Sequence, residues 1–193
     1  YSYVLNDPMN LVDPDGSTPY HCSRPTDFGI GRHGFIVHGA TGLGQGGRVR
    51  SMGETTSGKM GEVTSETKGT LSEGTAQTDK AAWEAAGTDG SDTICVELAA
   101  SDAVIGGLAD SLMPTEDYDT VPAGPGGLNS NSGSTAIAQE GTGTCGVKLL
   151  PAGGSGMVGS ERAPQVQFDR NGDGAGDKRQ TPCTPPPPPP KRP

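Results

Sequence analysis

The sequence predicts a small α+β domain, and three observations carry the prediction. Short apolar runs rich in β-branched residues, such as Gly34-Phe35-Ile36-Val37-His38 and Thr93-Ile94-Cys95-Val96-Glu97-Leu98, are bounded by turn residues and read as strands. Between and after them lie segments with apolar side chains at three- and four-residue steps, which read as helices. The connections are short, and strands mix with helices instead of alternating with them in regular βαβ units.

Each element follows from its residues. Ser17 to Arg32 has no apolar period and reads as a loop-like linker containing the adjacent pair His21-Cys22. Gly34–His38 is a buried strand. Residues 39–78 are rich in Gly, Ser, Thr and Glu, with Val49, Met52, Met60 and Val63 widely spread, so one or two hairpins with long loops are expected. Thr78–Ala86 is a short helix, with Thr78 or Asp79 as its cap, Gly87 as its stop and Trp83 as its anchor. Thr93–Leu98 is the clearest strand. Ser101 caps a helix on which Val104, Ile105, Leu108, Ala109 and Leu112 recur, ending before Pro114. A further helix begins at the serines after Asn129 and ends near Gly141, and Val147–Leu150 reads as a last strand. The resulting organisation is a lead segment 1–16, a linker 17–27, a domain 28–150, and a Gly/Asp-rich loop with a Pro-rich tail over 151–193.

Composition limits what this domain can be. Leu, Ile, Val and Phe number 29 of 193 residues, below the level of about 20 % at which a chain readily buries a core. With 32 Gly and 17 Pro, weakly ordered ends are expected around a compact, Gly-rich middle. A formal charge of −9 makes the chain a poor partner for phosphate backbones, so nucleic-acid binding is disfavoured. No stretch approaches a membrane span. The cysteines Cys22, Cys95, Cys145 and Cys183 contain no C-x-x-C, which argues against a zinc knuckle or a dithiol redox site. Three disulfide pairings are open, and a buried free thiol is an equally good reading for Cys95.

The first sixteen residues, YSYVLNDPMNLVDPDG, carry a pattern of their own: Tyr1, Tyr3, Asn6, Asp7, Pro8, Asn10, Asp13, Pro14 and Gly16 in ungapped order. The stretch resembles the closing segment of the core in RHS/YD-repeat proteins. That resemblance implies that residues 1–16 end a hollow repeat shell and that the remainder is a variable effector domain, most often a toxin, secreted and delivered into a target cell. It also implies two partners, the shell of the same parent chain and a cognate immunity protein. Ser17 stands where the family often has Leu or Trp.

Two later segments, Arg32-His33-Gly34-Phe35-Ile36-Val37 and Gly127-Leu128-Asn129-Ser130-Asn131-Ser132, occur in an order similar to that of permuted papain-like effector domains. There a histidine on an early strand serves a nucleophile that opens a later helix. The resemblance makes His33 the base and Ser130 the nucleophile of a hydrolase or acyl/amide transferase, with Asn129, Asn131 and Ser132 orienting the turn; no cofactor is implied for catalysis. The physics agrees, since a helix N-terminus offers free N–H groups to a developing oxyanion and a serine hydroxyl needs an imidazole to activate it. Serine replaces the usual cysteine, and Gly133 the usual aromatic. Glu62 and Glu97 are the candidates for a third, orienting residue. The plainer reading makes Asn129–Ser132 an N-cap turn and His33 an ordinary strand histidine.

Asp169-Arg170-Asn171-Gly172-Asp173-Gly174-Ala175-Gly176-Asp177 places oxygen side chains first, third, fifth and ninth, with glycine sixth, as a calcium loop does. Gln180 takes the place of the bidentate Glu, so Asp169, Asn171, Asp173 and Asp177 are expected to hold Ca2+ in a structural role, or to form a solvated linker. Two alternatives stand beside the Ser–His enzyme. One is a non-enzymatic, calcium-assisted binding domain. The other is an ADP-ribosyltransferase built from Arg48 or Arg50, Ser57 and Glu62. The glycines of residues 39–47 lack the Lys-Ser/Thr of a phosphate loop and read as a turn. The six prolines before Lys191 read as a polyproline II tail.

Overall fold

The computed structural model describes residues 16–26, 31–114, 116–120, 127–144 and 160–177. Five strands form one antiparallel sheet: β1 (Thr18–Pro25), β2 (Arg32–Gly42), β3 (Gln45–Glu54), β4 (Met60–Val63) and β5 (Ile94–Glu97), in the order β4-β3-β2-β1-β5. Three helices, α1 (Thr75–Ala85), α2 (Asp102–Asp110) and α3 (Ser130–Thr142), and a 3-10 helix over Ser160–Gln165 complete the α+β architecture.

The sheet is covered on both sides. On one face Cys22, Phe35, Val37 and Ala40 pack with Trp83 and Ala86 at the end of α1. On the other, Ile36, Met52 and Met60 pack with Ile105 and Leu108 of α2, Ala136 and Ile137 of α3, and Val166 and Phe168. Alternation along the strands sets which face most residues of β1 and β2 take, and the shift in β1–β2 register after Val37 brings Ala40 onto the face of Phe35 and Val37. Trp83 is the anchor that the sequence suggests: it is buried, donates Nε1–H to the Gly46 carbonyl at 2.7 Å, and stacks at a tilt on Tyr20 with ring centroids 5.3 Å apart.

α3 can lie close to the sheet because its inward face is small. Every residue from Ser130 to Ala138 is buried, and a Cβ at Gly133 would sit 2.9 Å from Met60 Sδ. Ser134 Oγ meets the buried His21 Nε2 at 3.2 Å, whereas the buried Thr135 Oγ1 finds no hydrogen-bond partner among the described residues. The capping expectations for α2 and α3 hold: Ser101 accepts from Val104 N, and Asn129 forms a reciprocal capping box with Ser132.

Four expectations change. The segment read as a linker is β1, the strand between β2 and β5, with Cys22, Ser23 and His21 fully buried. The packed unit therefore extends ahead of residue 28, and Val166 and Phe168 carry it past residue 150. α1 starts earlier than expected, with Gly74 at its N-cap and no side-chain cap; Asp79 lies mid-helix and buried. Cys22 and Cys95 form a disulfide, which removes the free-thiol reading. The repeat-like segment 1–15, Val147–Leu150, Cys145, Cys183, Gln180 and the Pro tail lie outside the described residues. Among the described residues, no helix is long and apolar enough to cross a membrane.

Candidate functional site at one end of the sheet

The start of β2 brings the sequence-predicted residues together, though not as the expected pair. His33 points to the α1 face of the sheet, where its Nε2 lies 3.0 Å from Asp79 Oδ2. Arg24, its partner across the β1–β2 ladder, donates Nε–H to Asp79 Oδ1 at 2.6 Å. The side chains of Asp79, Arg24 and His33 are 0 %, 7 % and 11 % exposed. An isolated carboxylate at this depth would be costly, and two donors compensate for it. Burial by itself raises the Asp79 pKa, but the charges and hydrogen bonds of His33 and Arg24 outweigh it and hold the carboxyl below its ordinary range. An ionised carboxylate only accepts, so Nε2 carries the proton and Nδ1 is the ring nitrogen left for a second partner.

The N-terminus of α3 docks against the same stretch of backbone. Asn131 Oδ1 accepts from Gly34 N at 2.6 Å, and Asn131 Nδ2 donates to the Arg32 carbonyl at 2.9 Å. The ladder between β2 and β3 begins only at Phe35↔Ser51, so the Asn131 amide stands where a neighbouring strand would pair. His33 lies between the two backbone groups that Asn131 clamps. Ser130, one residue earlier, is buried and interacts with the Tyr118 phenol, which also meets Ser72. Ser72 covers Gly53, where an added Cβ would collide with its hydroxyl.

His33 and Ser130 thus occupy one end of the sheet, but no hydrogen bond joins them. The imidazole is turned to Asp79 on the α1 face, and the serine hydroxyl is turned to Tyr118. The reason is strand alternation: Asn131 meets β2 along its hydrogen-bonding edge, whereas the His33 side chain leaves that strand perpendicular to the edge.

The carboxylate that His33 meets is Asp79, not Glu62 or Glu97. Glu62 chelates the buried Arg50 on the α2/α3 side, with Nε–Oε1 and Nη2–Oε2 distances of 2.6 Å, and Asp110 takes Arg50 Nη1 at 2.8 Å. Glu97 is exposed on the edge strand opposite Tyr20. Asp79 did leave a signal in the sequence: it stands four residues before Trp83, on the face that the tryptophan fixes as buried. Arg24 left none, because its strand was not recognisable. Of the Arg…Ser…Glu alternative, Arg50 and Glu62 do meet, but Ser57 is exposed near Thr55 Oγ1 in the β3–β4 turn.

The expected calcium loop is closed by a bridge between Phe168 and Asp177, and Gly174 at its sixth place is left-handed at φ 78°. Asp169 accepts from the amides of Gly172, Asp173 and Gly174; Asp173 accepts from Ala175; Asp177 accepts from Arg170. Asn171 and Asp173 also bond each other. Among the described residues, no group of three or more His, Cys, Asp or Glu side chains is gathered to hold a metal ion.

Two surface cavities lie elsewhere. One of about 610 Å³ runs between α1 and β3–β4, past Arg48, Glu62, Lys80 and Trp83; one of about 400 Å³ lies by Val104, Leu108, Glu140 and Arg170. Neither is lined by His33, Asp79 or Ser130. In comparisons with protein-family models, curated proteins and solved structures, the chain matches none.

Proposed function

We propose that the chain is the effector domain of an RHS-type secreted protein, acting in a target cell as a hydrolase or acyl/amide transferase, with Ser130 as nucleophile, His33 as base and Asp79 orienting the base. A cognate immunity protein is the partner this reading requires in the producing cell. The observation that carries the chemistry is the Asp79–His33 bond. It fixes one ring nitrogen on a buried carboxylate and leaves the other as a base, on a strand whose backbone the N-terminus of α3 clamps. In this reading the Ser130 hydroxyl leaves Tyr118 and turns to Nδ1 when substrate binds, and the positive end of the α3 dipole favours the developing oxyanion. Catalytic hydrogen bonds that form only with substrate are common in resting sites.

The test is production of the 193-residue chain in the cytoplasm and, separately, in the periplasm of a bacterium. Ser130→Ala and His33→Ala, with melting temperatures near that of the parent, are expected to abolish growth inhibition, the loss of the base being worth ~10²–10⁴ in rate. Parental toxicity in both variants would remove the proposed pair.

The left-handed glycine at the sixth place of the 169–177 loop favours a second reading, a calcium-assisted binding domain. A millimolar calcium titration that raises the melting temperature, alongside an absence of toxicity, would favour it. A melting temperature indifferent to calcium and chelator would remove it.

A further inference from the structure

The Cys22–Cys95 disulfide goes beyond this reading and does not depend on which residue is the nucleophile. Cys22 and Cys95 are directly opposite in the β1–β5 ladder, and 73 residues separate them in the chain. The bond lies on the α1 face: Cys22 is fully buried against Phe35, Val37 and Trp83, and Cys95 packs on the same cluster. One alternation further along β1 on that face comes Arg24, and one alternation from Phe35 on β2 comes His33. The crosslink is therefore embedded in the same layer of side chains that seats α1, and α1 supplies Asp79.

Besides its ladder, β5 is tied at its ends, where buried Leu98 donates N–H to the Pro19 carbonyl at 2.9 Å and Arg32 Nη2 donates to the Asp92 carbonyl at 2.6 Å. It is a four-residue edge strand with four register pairs to β1; Ile94, Cys95 and Val96 are only half-buried and Glu97 is exposed. It also connects the end of α1 to the start of α2. The strand itself, short and partly exposed, contributes little burial, so a covalent link to β1 at its middle adds much of what keeps it paired. Closing a long loop is also where a crosslink most restricts the unfolded chain.

We propose that the Cys22–Cys95 bond is a redox-sensitive clamp, so that the α1 face and the Arg24–Asp79–His33 cluster are fully assembled only in an oxidising compartment. The switching step is thiol–disulfide exchange with a low-molecular-weight thiol or dithiol. Two electrons and two protons pass to the cysteines, giving two thiols, and the reductant leaves as its disulfide. After reduction, two thiols replace one bond within a packed layer. β5 then separates from β1, and α1 loses part of its seat.

The experiment uses the full chain carrying Cys145→Ser and Cys183→Ser, so that a single pair remains. Peptide mapping without reductant is expected to show Cys22 joined to Cys95. Hydrogen exchange is then followed with and without dithiothreitol. The amides of Ile94–Glu97 and the mid-α1 amides are expected to exchange at least tenfold faster when reduced, while β3 and α3 change less; a uniform acceleration across the domain would overturn the clamp in favour of a general stabilising crosslink. A Cys22→Ala/Cys95→Val variant, which keeps the layer apolar, is expected to match the reduced protein in the presence or absence of dithiothreitol. Unchanged exchange of β5 and α1 after complete reduction, or a crosslink absent from the oxidised map, would overturn the proposal. Exchange is read on the protein without substrate, so its failure is distinct from failure of the Ser130 reading.

Discussion

Replacing Asp79 by alanine tests the physical core of the site directly. Asp79 is fully buried and accepts from Arg24 Nε at 2.6 Å and His33 Nε2 at 3.0 Å, while the Arg24 side chain is 7 % exposed. Solvent screening is small at that depth, so the loss is set by taking the Asp79 carboxylate away from a buried guanidinium. Breaking such a pair from one side costs about 3–5 kcal/mol. Asp79→Asn keeps an acceptor for Arg24 and should cost about 1.5–3 kcal/mol, the worth of a hydrogen bond to a charged group. The decisive variant is the double replacement Asp79→Ala/Arg24→Met. It removes both charges, so it should cost less than the two single changes added together, by about 1–3 kcal/mol. Urea unfolding at pH 7 with linear extrapolation measures the parent and the four variants, Arg24→Met included, and an unchanged slope keeps the comparison between like states. If Asp79→Ala costs under about 1 kcal/mol, or if the two single losses simply add, then the pair is not the buried, mutually dependent unit described here.

Two further outcomes follow from the same geometry. Asn131→Ala strips partners from a buried N–H of Gly34 and from the Arg32 carbonyl, and should destabilise by about 2–4 kcal/mol; Asn131→Asp, which keeps the acceptor but not the donor, should also destabilise, and a loss below about 0.5 kcal/mol in either would contradict the docking of α3 on β2. Stability should fall in two stages as pH drops. Burial, with Arg50 and Arg48, lowers the His38 pKa against the opposing pull of Asp102 and Asp110, so the unfolded chain binds the extra proton first and the melting temperature declines once pH passes below about 6.5. The depressed Asp79 carboxyl contributes stability that is present above about pH 3.9 and is lost as pH falls through its folded value. A melting temperature flat from pH 8 to pH 5, or a first stage that persists in His38→Gln, would contradict this assignment.

Much of the fold was legible because local chemistry and tertiary structure agree. Phe35-Ile36-Val37 has β-branched and aromatic residues between glycines, and it is buried on both faces in the middle of the sheet. Ser101 and Asn129 are caps by residue type and act as caps. β1 was illegible for the opposite reason. Its residues TPYHCSRP include a proline at each end and no run of apolar residues, and they are a strand only because β2, β5, the disulfide and Asp79 accommodate them. Val166 and Phe168 were equally hidden, since two apolar residues after a glycine-rich stretch carry no period.

The candidate site divides along the same line. By itself the sequence determined the chemical parts: an imidazole opening a strand, an Asn-Ser-Asn-Ser turn opening a helix, and the caps that make the turn rigid. These are local properties, written in residue types a few positions apart. Only the tertiary structure decided which atoms those parts face. It gave His33 to Asp79, placed Arg24 on the same carboxylate, set Asn131 against the edge of β2 and turned Ser130 toward Tyr118. Those choices depend on which face of a sheet each strand presents and on how far α3 can approach. Both are set by packing between segments tens of residues apart, which no local pattern encodes.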